Sequence, residues 1–174
     1  MEETAPFGST AYLVTLSLLV FARGMDLLST RIATPNLVLE ANPIARRLGW
    51  TWGGLFNLLF AGLLACWPVP ALVVVTTSLM VAGRNFKSAW LMRSLGEEGY
   101  QGLIVGVMAQ TSLSLYLACL IGETSMVSIV GAAVMYFGRH QVALLAIGLG
   151  IVAYAAAVAF YTLLSLWRIR SKTG

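Results

Sequence analysis

Charge is what this chain has least of. Only 10% of its 174 residues are Asp, Glu, Lys or Arg, and 59% are hydrophobic, whereas soluble domains carry about a quarter charged residues. So few charges cannot cover a surface in water, which excludes a soluble domain and leaves lipid as the solvent. No polar block is long enough for a second, soluble unit, so one membrane domain over 1–174 is expected. Histidine occurs once, at His140, and aspartate once, at Asp26. That removes HExxH zinc proteases and the aspartate-rich CDP-alcohol phosphotransferases. G-x-S-x-G and P-loop patterns are also missing. Glu97-Glu98 matches the paired glutamates of CAAX-type intramembrane proteases, but the histidines such sites need are not there. Cys66 and Cys119 are too few for a disulfide framework and lack metal-site spacing. Buried free thiols are expected, a bridge between them being the alternative. The opening MEETAPFGST has no basic n-region, so the first apolar run is expected to be a retained helix rather than a signal peptide. The net charge of +4 comes from basic residues beside apolar segments, with no basic stripe. A lipid surface, and not nucleic acid, is the partner this implies.

What is present is a series of apolar helices. The pattern predicts an all-α polytopic membrane bundle of about five spans, at 10–32, 43–67, 70–95, 100–120 and 140–167. The segment 122–139 looks too short to span and is expected to be interfacial or re-entrant. Thr34-Pro35 ends the first helix, because the residue before a proline avoids the α region. Asn42-Pro43 opens the second, Asn capping free N–H groups and Pro being pre-set for the first helical position. Between them, Leu37, Val38 and Leu39 suit a loop that dips into the membrane interface. Gly102, Gly106, Gln110, Ser114 and Ala118 repeat every fourth residue, a stripe suited to close helix–helix approach, and Ala155 and Ala159 form a similar pair. The Lys/Arg bias then gives an orientation for a prokaryotic plasma membrane, N-terminus outside and C-terminus cytoplasmic. It places Arg31, Arg46, Arg47, Arg93, Arg168, Arg170 and Lys172 inside and Arg139 outside.

The stretch from Arg23 to Arg47 concentrates the polar chemistry. On a helical wheel Arg23, Asp26 and Thr30 fall within about 60° of one another. Asp26 lies ~24 Å along its helix and Arg84 ~21 Å along the third, at a similar depth near the cytoplasmic edge. On the third helix Thr77, Arg84, Lys87 and Ser88 share one face, and Ser78 and Asn85 share another. An ionisable residue at membrane depth points to function. The candidate ligand-binding set is Asp26, Thr30, Glu40, Asn42, Arg84 and Lys87: the two acids for a cation or proton, Arg84 and Lys87 for a phosphate-bearing headgroup. The plainer alternatives are a structural Asp26–Arg84 ion pair, a solvated loop acid at Glu40 and a pure helix cap at Asn42. No cofactor is specified. Two acids could hold Mg²⁺ with substrate phosphates, so an intramembrane enzyme acting on a lipid phosphate is a further option. The small-residue stripes leave room for a homo-oligomer or for an accessory subunit or assembly factor of a larger membrane complex.

Asp26-x3-Thr30 followed by Glu40-x-Asn42-Pro43 resembles the signature of an uncharacterised family of small prokaryotic integral membrane proteins, a domain of unknown function. The likeness covers the first three helices, about half the chain. It implies a helical membrane fold and a shared reason for Asp26, Thr30, Glu40 and Asn42, and it supplies no activity.

Overall fold

The computed structural model describes residues 4–40 and 42–173, with backbone alone for 171–173. The acidic Glu2 and Glu3, Ala41 and the Lys172 side chain therefore lie outside the described part. Among the described residues there is no strand, and five helices form an all-α bundle: α1 (Thr10–Ala33), α2 (Pro43–Leu64), α3 (Pro68–Gln110), α4 (Leu113–Phe137) and α5 (Val142–Thr173). Four of them, all but α2, are long and apolar enough to cross a membrane.

The helix ends follow local chemistry. The Ser9 hydroxyl accepts from the Tyr12 amide at the start of α1, and α1 stops at Thr34 before Pro35. Asn42 caps α2 by accepting from the Ile44 and Ala45 amides, with Pro43 in the first turn. Two glycines break helices from within. Gly49 (φ 65) interrupts α2 and Gly96 (φ 71) interrupts α3, a left-handed conformation that favours glycine because a Cβ is strained there. The break at Gly49 leaves α2 an uninterrupted stretch of only ~15 residues, or ~22 Å. α2 nonetheless retraces α1 in the opposite direction. Its Cys66 end meets Ala5, its Gly62 carbonyl accepts from the Tyr12 hydroxyl, and Asn57 meets Arg23.

The second half of the chain departs from the expected boundaries. The helix expected at 100–120 does not exist as one element: 97–110 is the short arm of α3 beyond Gly96, and a new helix starts after Ser112, whose hydroxyl accepts from the Leu115 amide. The segment 122–139, expected to be interfacial, lies for the most part within α4, which runs unbroken to Phe137. Taken alone the apolar run of that stretch is too short to span, but the helix begins at Leu113 and carries Glu123, Thr124 and Ser125 in its interior. In the fold, Glu123 pairs with Arg84 of α3 at 2.7 Å, and the Thr124 hydroxyl bonds back to the Leu120 carbonyl, so the helix carries these polar groups without breaking.

α3 is the central element, packed on α1 along one side and on α5 along the other, while α4 packs on α5. α3 runs parallel to α1 and to α5. One end of the bundle thus gathers the loop 34–42, the Gly96 break and the C-terminal turns of α5, and the other gathers 5–9, 65–67 and 138–141. Arg31, Arg46, Arg47, Arg93, Arg168 and Arg170 belong to the first end and Arg139 to the second. Leu37 of the loop is buried in the protein, with φ 57. Both cysteines are free. Cys66 is half-buried, but Cys119 is exposed on α4, so the expectation of buried thiols fails there.

Candidate functional site

The α1–α3 contact is built on small side chains. Ala71, Val75, Ser78, Ala82 and Ala89 are the buried residues along the first arm of α3 after Pro68, and their spacing of 4, 3, 4 and 7 marks one helical face. Leu19 and Ala22 of α1 pack with Ala71 and Val75. Polar groups sit within this close contact. The Arg23 guanidinium donates to Asn57 Oδ1 (2.7 Å) on α2, to Ser78 Oγ (3.0 Å) on α3 and to Asp26 Oδ2 (2.9 Å) on its own helix. Side-chain exposures of 28% for Arg23 and 17% for Asp26 put the pair largely out of solvent, where an unpartnered charge is costly.

One turn further along, the Ser29 hydroxyl donates to the Asp26 carbonyl, and Asn85 Nδ2 donates to Ser29 Oγ (3.3 Å) and Thr30 Oγ1 (3.1 Å). One more turn brings Thr34, whose hydroxyl donates to Glu97 Oε1 (2.8 Å) and accepts from the Leu39 amide (3.1 Å). The Asn36 amide donates to the same Glu97 oxygen at 2.8 Å. Polar contacts at residues 23, 26, 29–30 and 34 therefore descend α1 turn by turn, over ~16 Å, towards the loop end.

The expected site residues divide. Asp26 and Thr30 lie in this seam. Glu40 is half-buried, its Oε1 accepts from the Asn42 amide (2.8 Å), and Asp26 lies within electrostatic range of both Arg23 and Glu40. Asn42 acts as the α2 cap. Arg84 turns away to Glu123 of α4, and Lys87 is exposed. Asp26 takes Arg23, not Arg84, as its ion partner. Sequence reasoning passed over Asn57, Ser78 and Glu97 as site residues. The Ala71/Val75/Ser78/Ala82/Ala89 stripe was the available signal for the face that meets α1. Glu97 stood out only as half of the Glu97-Glu98 pair; nothing local marks its burial, which comes from the loop 34–36 folding onto it.

Among the described residues, no three of His, Cys, Asp and Glu come together as a metal cluster. The seam instead holds hydroxyls, amides and carboxylates that bond one another in series.

Fold and site together define a multi-pass helical membrane protein with a polar seam between α1 and α3. No family model, curated protein or solved structure matches the chain.

Proposed function

We propose that the chain, in a prokaryotic plasma membrane with its C-terminus cytoplasmic, binds a small cation or proton in the α1–α3 seam and exchanges it at the loop end. The observation that carries this reading is the row of polar contacts from Arg23 to Glu97 along the face between α1 and α3. The two acids bonded into that row, Asp26 and Glu97, outnumber its one base, Arg23, so the seam favours positive charge. A phosphate-bearing headgroup at Arg84 is less well supported, because Glu123 already occupies that guanidinium. The basic residues at the loop end supply the orientation. The Asp26-x3-Thr30 and Glu40-x-Asn42-Pro43 elements are then the site shared with the small-membrane-protein family that they resemble.

The test is reconstitution into liposomes with monovalent-cation and proton flux read across the bilayer. Asp26→Asn and Glu40→Gln are expected to lower flux or binding at least about tenfold, the loss of one charge-assisted contact. Wild-type values in both variants would end this reading.

A second reading, an accessory subunit of a larger membrane complex, draws on α2. Leu55, Phe56, Leu59 and Leu63 of this helix are exposed, and α2 is the helix that falls short of a spanning one. A membrane chain docked there would cover that face. Co-purification of a stoichiometric partner that cross-links to α2 supports this reading, and a partner-free homogeneous particle counts against it.

A further inference from the structure

Three of the arginines at the loop end stand around Trp50. Arg31 belongs to the last turn of α1, and Arg46 and Arg47 lie on the short piece of α2 before the Gly49 break. All three are exposed. Trp50 ties this corner together: Arg31 Cζ lies 5.9 Å from the centre of its ring, and its indole N–H donates to the Pro35 carbonyl at 2.7 Å. Arg46 and Arg47 make no ion pair among the described residues, and Glu40, the acid closest to them in the chain, accepts from the Asn42 amide instead. On the same stretch Ile44 is 67% exposed and Trp52 66%. Gly49 (φ 65, ψ −168) breaks the helix between them, and the part beyond it, 50–64, rises only ~22 Å against a hydrocarbon core of ~30 Å. A helix that falls short draws the headgroup layer towards its flanks, where arginine and tryptophan side chains settle.

We propose that this corner binds an anionic glycerophospholipid, its phosphate held by Arg46 and Arg47 with the charge of Arg31 beside them, and its acyl chains lying along Ile44 and Trp52. The chemistry selects the class. All three bases are arginine, whose planar fork takes phosphate oxygens two at a time. Three positive charges without a paired acid favour a headgroup of net negative charge over a zwitterionic one. The exposed Ile44 and Trp52 select a lipid over a soluble phosphate, since only a lipid brings apolar chains to cover them. None of the three arginines bonds into the α1–α3 seam, so lipid preference here and cation flux there stand or fall separately.

The full chain is reconstituted in nanodiscs of mixed phosphatidylglycerol and phosphatidylcholine, and the lipids that stay with it on transfer to detergent are counted by native mass spectrometry. Phosphatidylglycerol is expected to be retained at least about fivefold over phosphatidylcholine, the effect of one basic residue at an anionic surface, and less so as salt rises. Arg46→Gln/Arg47→Gln should bring the preference below about twofold. Arg93→Gln/Arg170→Gln, which removes the same charge from the same end of the bundle, should keep it. Equal retention of the two lipids by the wild type overturns the proposal whether or not the variants fold. So does an unchanged preference in Arg46→Gln/Arg47→Gln, or an equal loss in both double variants, which would make the preference a property of the whole basic end. A protein retained at the corner in place of lipid overturns it as well.

Discussion

The two halves of the bundle are held together by different physics. On the α1–α3 side, small side chains allow close approach and the space is used for hydrogen bonds: Arg23 to Ser78, Asn85 to Ser29 and Thr30, Thr34 to Glu97. On the α4–α5 side the helices touch backbone to backbone. A Cβ on Gly131 would stand 2.8 Å from the Gly148 carbonyl oxygen, and one on Gly148 would stand 2.5 Å from Met135 Cγ and 2.6 Å from the Gly131 carbonyl oxygen. α3 joins the halves, with Gly150 of α5 seated against Thr76 and Val73 and accepting from the Thr77 hydroxyl at 3.0 Å. In lipid, where apolar burial gives little drive for association, packing of small residues and interhelical hydrogen bonds are the two means available. This chain separates them by region. The α1–α3 contact carries most of the interhelical hydrogen bonds, and the α4–α5 contact is made by close packing at glycines.

The largest effect expected from breaking this contrast is at Arg23. Arg23→Met leaves Asp26 largely buried without its ion partner and should cost about 3–5 kcal/mol, read as a lowered unfolding midpoint in detergent. The double change Arg23→Met/Asp26→Leu should recover most of that loss, because paired charges can be replaced by apolar groups where a lone one cannot remain. A single-variant loss below about 1 kcal/mol would mean that the pair is solvated, and the polar half would lose its distinguishing feature.

On the packing side, Gly148→Val should cost about 1–3 kcal/mol through overpacking against Met135 and Gly131. Gly24→Ala in α1, where a Cβ meets nothing within 4 Å, should be neutral or stabilising by up to about 1 kcal/mol from helix propensity. Both are read in the same unfolding assay, and equal effects at the two positions would erase the difference between the halves.

Arg84→Gln tests the bridge between α3 and α4. The pair with Glu123 is well exposed, 39% and 51% by side chain, so the expected loss is below about 1 kcal/mol, while Arg23→Met stays several-fold worse. The smallest loss is expected for Gly102→Ala and Gly106→Ala. These glycines are exposed helical positions with no neighbour within 4 Å of a new Cβ, so, as at Gly24, each change should leave stability unchanged or raise it by up to about 1 kcal/mol. A large change in oligomeric state on native gels would instead show that the short arm of α3 is an interface.

These contacts show how far the sequence could be read. Hydropathy and capping gave the class and the first half: Thr34-Pro35 and Asn42-Pro43 mark ends that the fold uses. The second half misled, because the i+4 stripe of small residues suggested one span over 100–120 and left 122–139 too short for another, whereas the helix starts after Ser112 and runs to Phe137. Ser112 was the true boundary signal, a cap inside the run Gln110-Thr111-Ser112 whose chemistry was outweighed by the regular spacing of small residues around it. The two polar faces of α3 were visible as a periodicity. Which one would meet Asp26 was not, since the acid could have been satisfied by either.

The sequence by itself determined that this is an all-helical chain for lipid, where helices start and stop in its first half, and that Asp26, Thr30, Glu40 and Asn42 belong to one short polar stretch. Those are consequences of hydropathy, caps and the 3.6-residue period, which act within a few turns of chain. Only the tertiary structure decided that Ser78 and Asn85, and not Arg84 and Lys87, face that stretch, and that Glu97 is buried under the loop from Thr34. Each of these depends on which helix lies beside which, and the packing of small residues between helices decides that at distances local sequence does not reach.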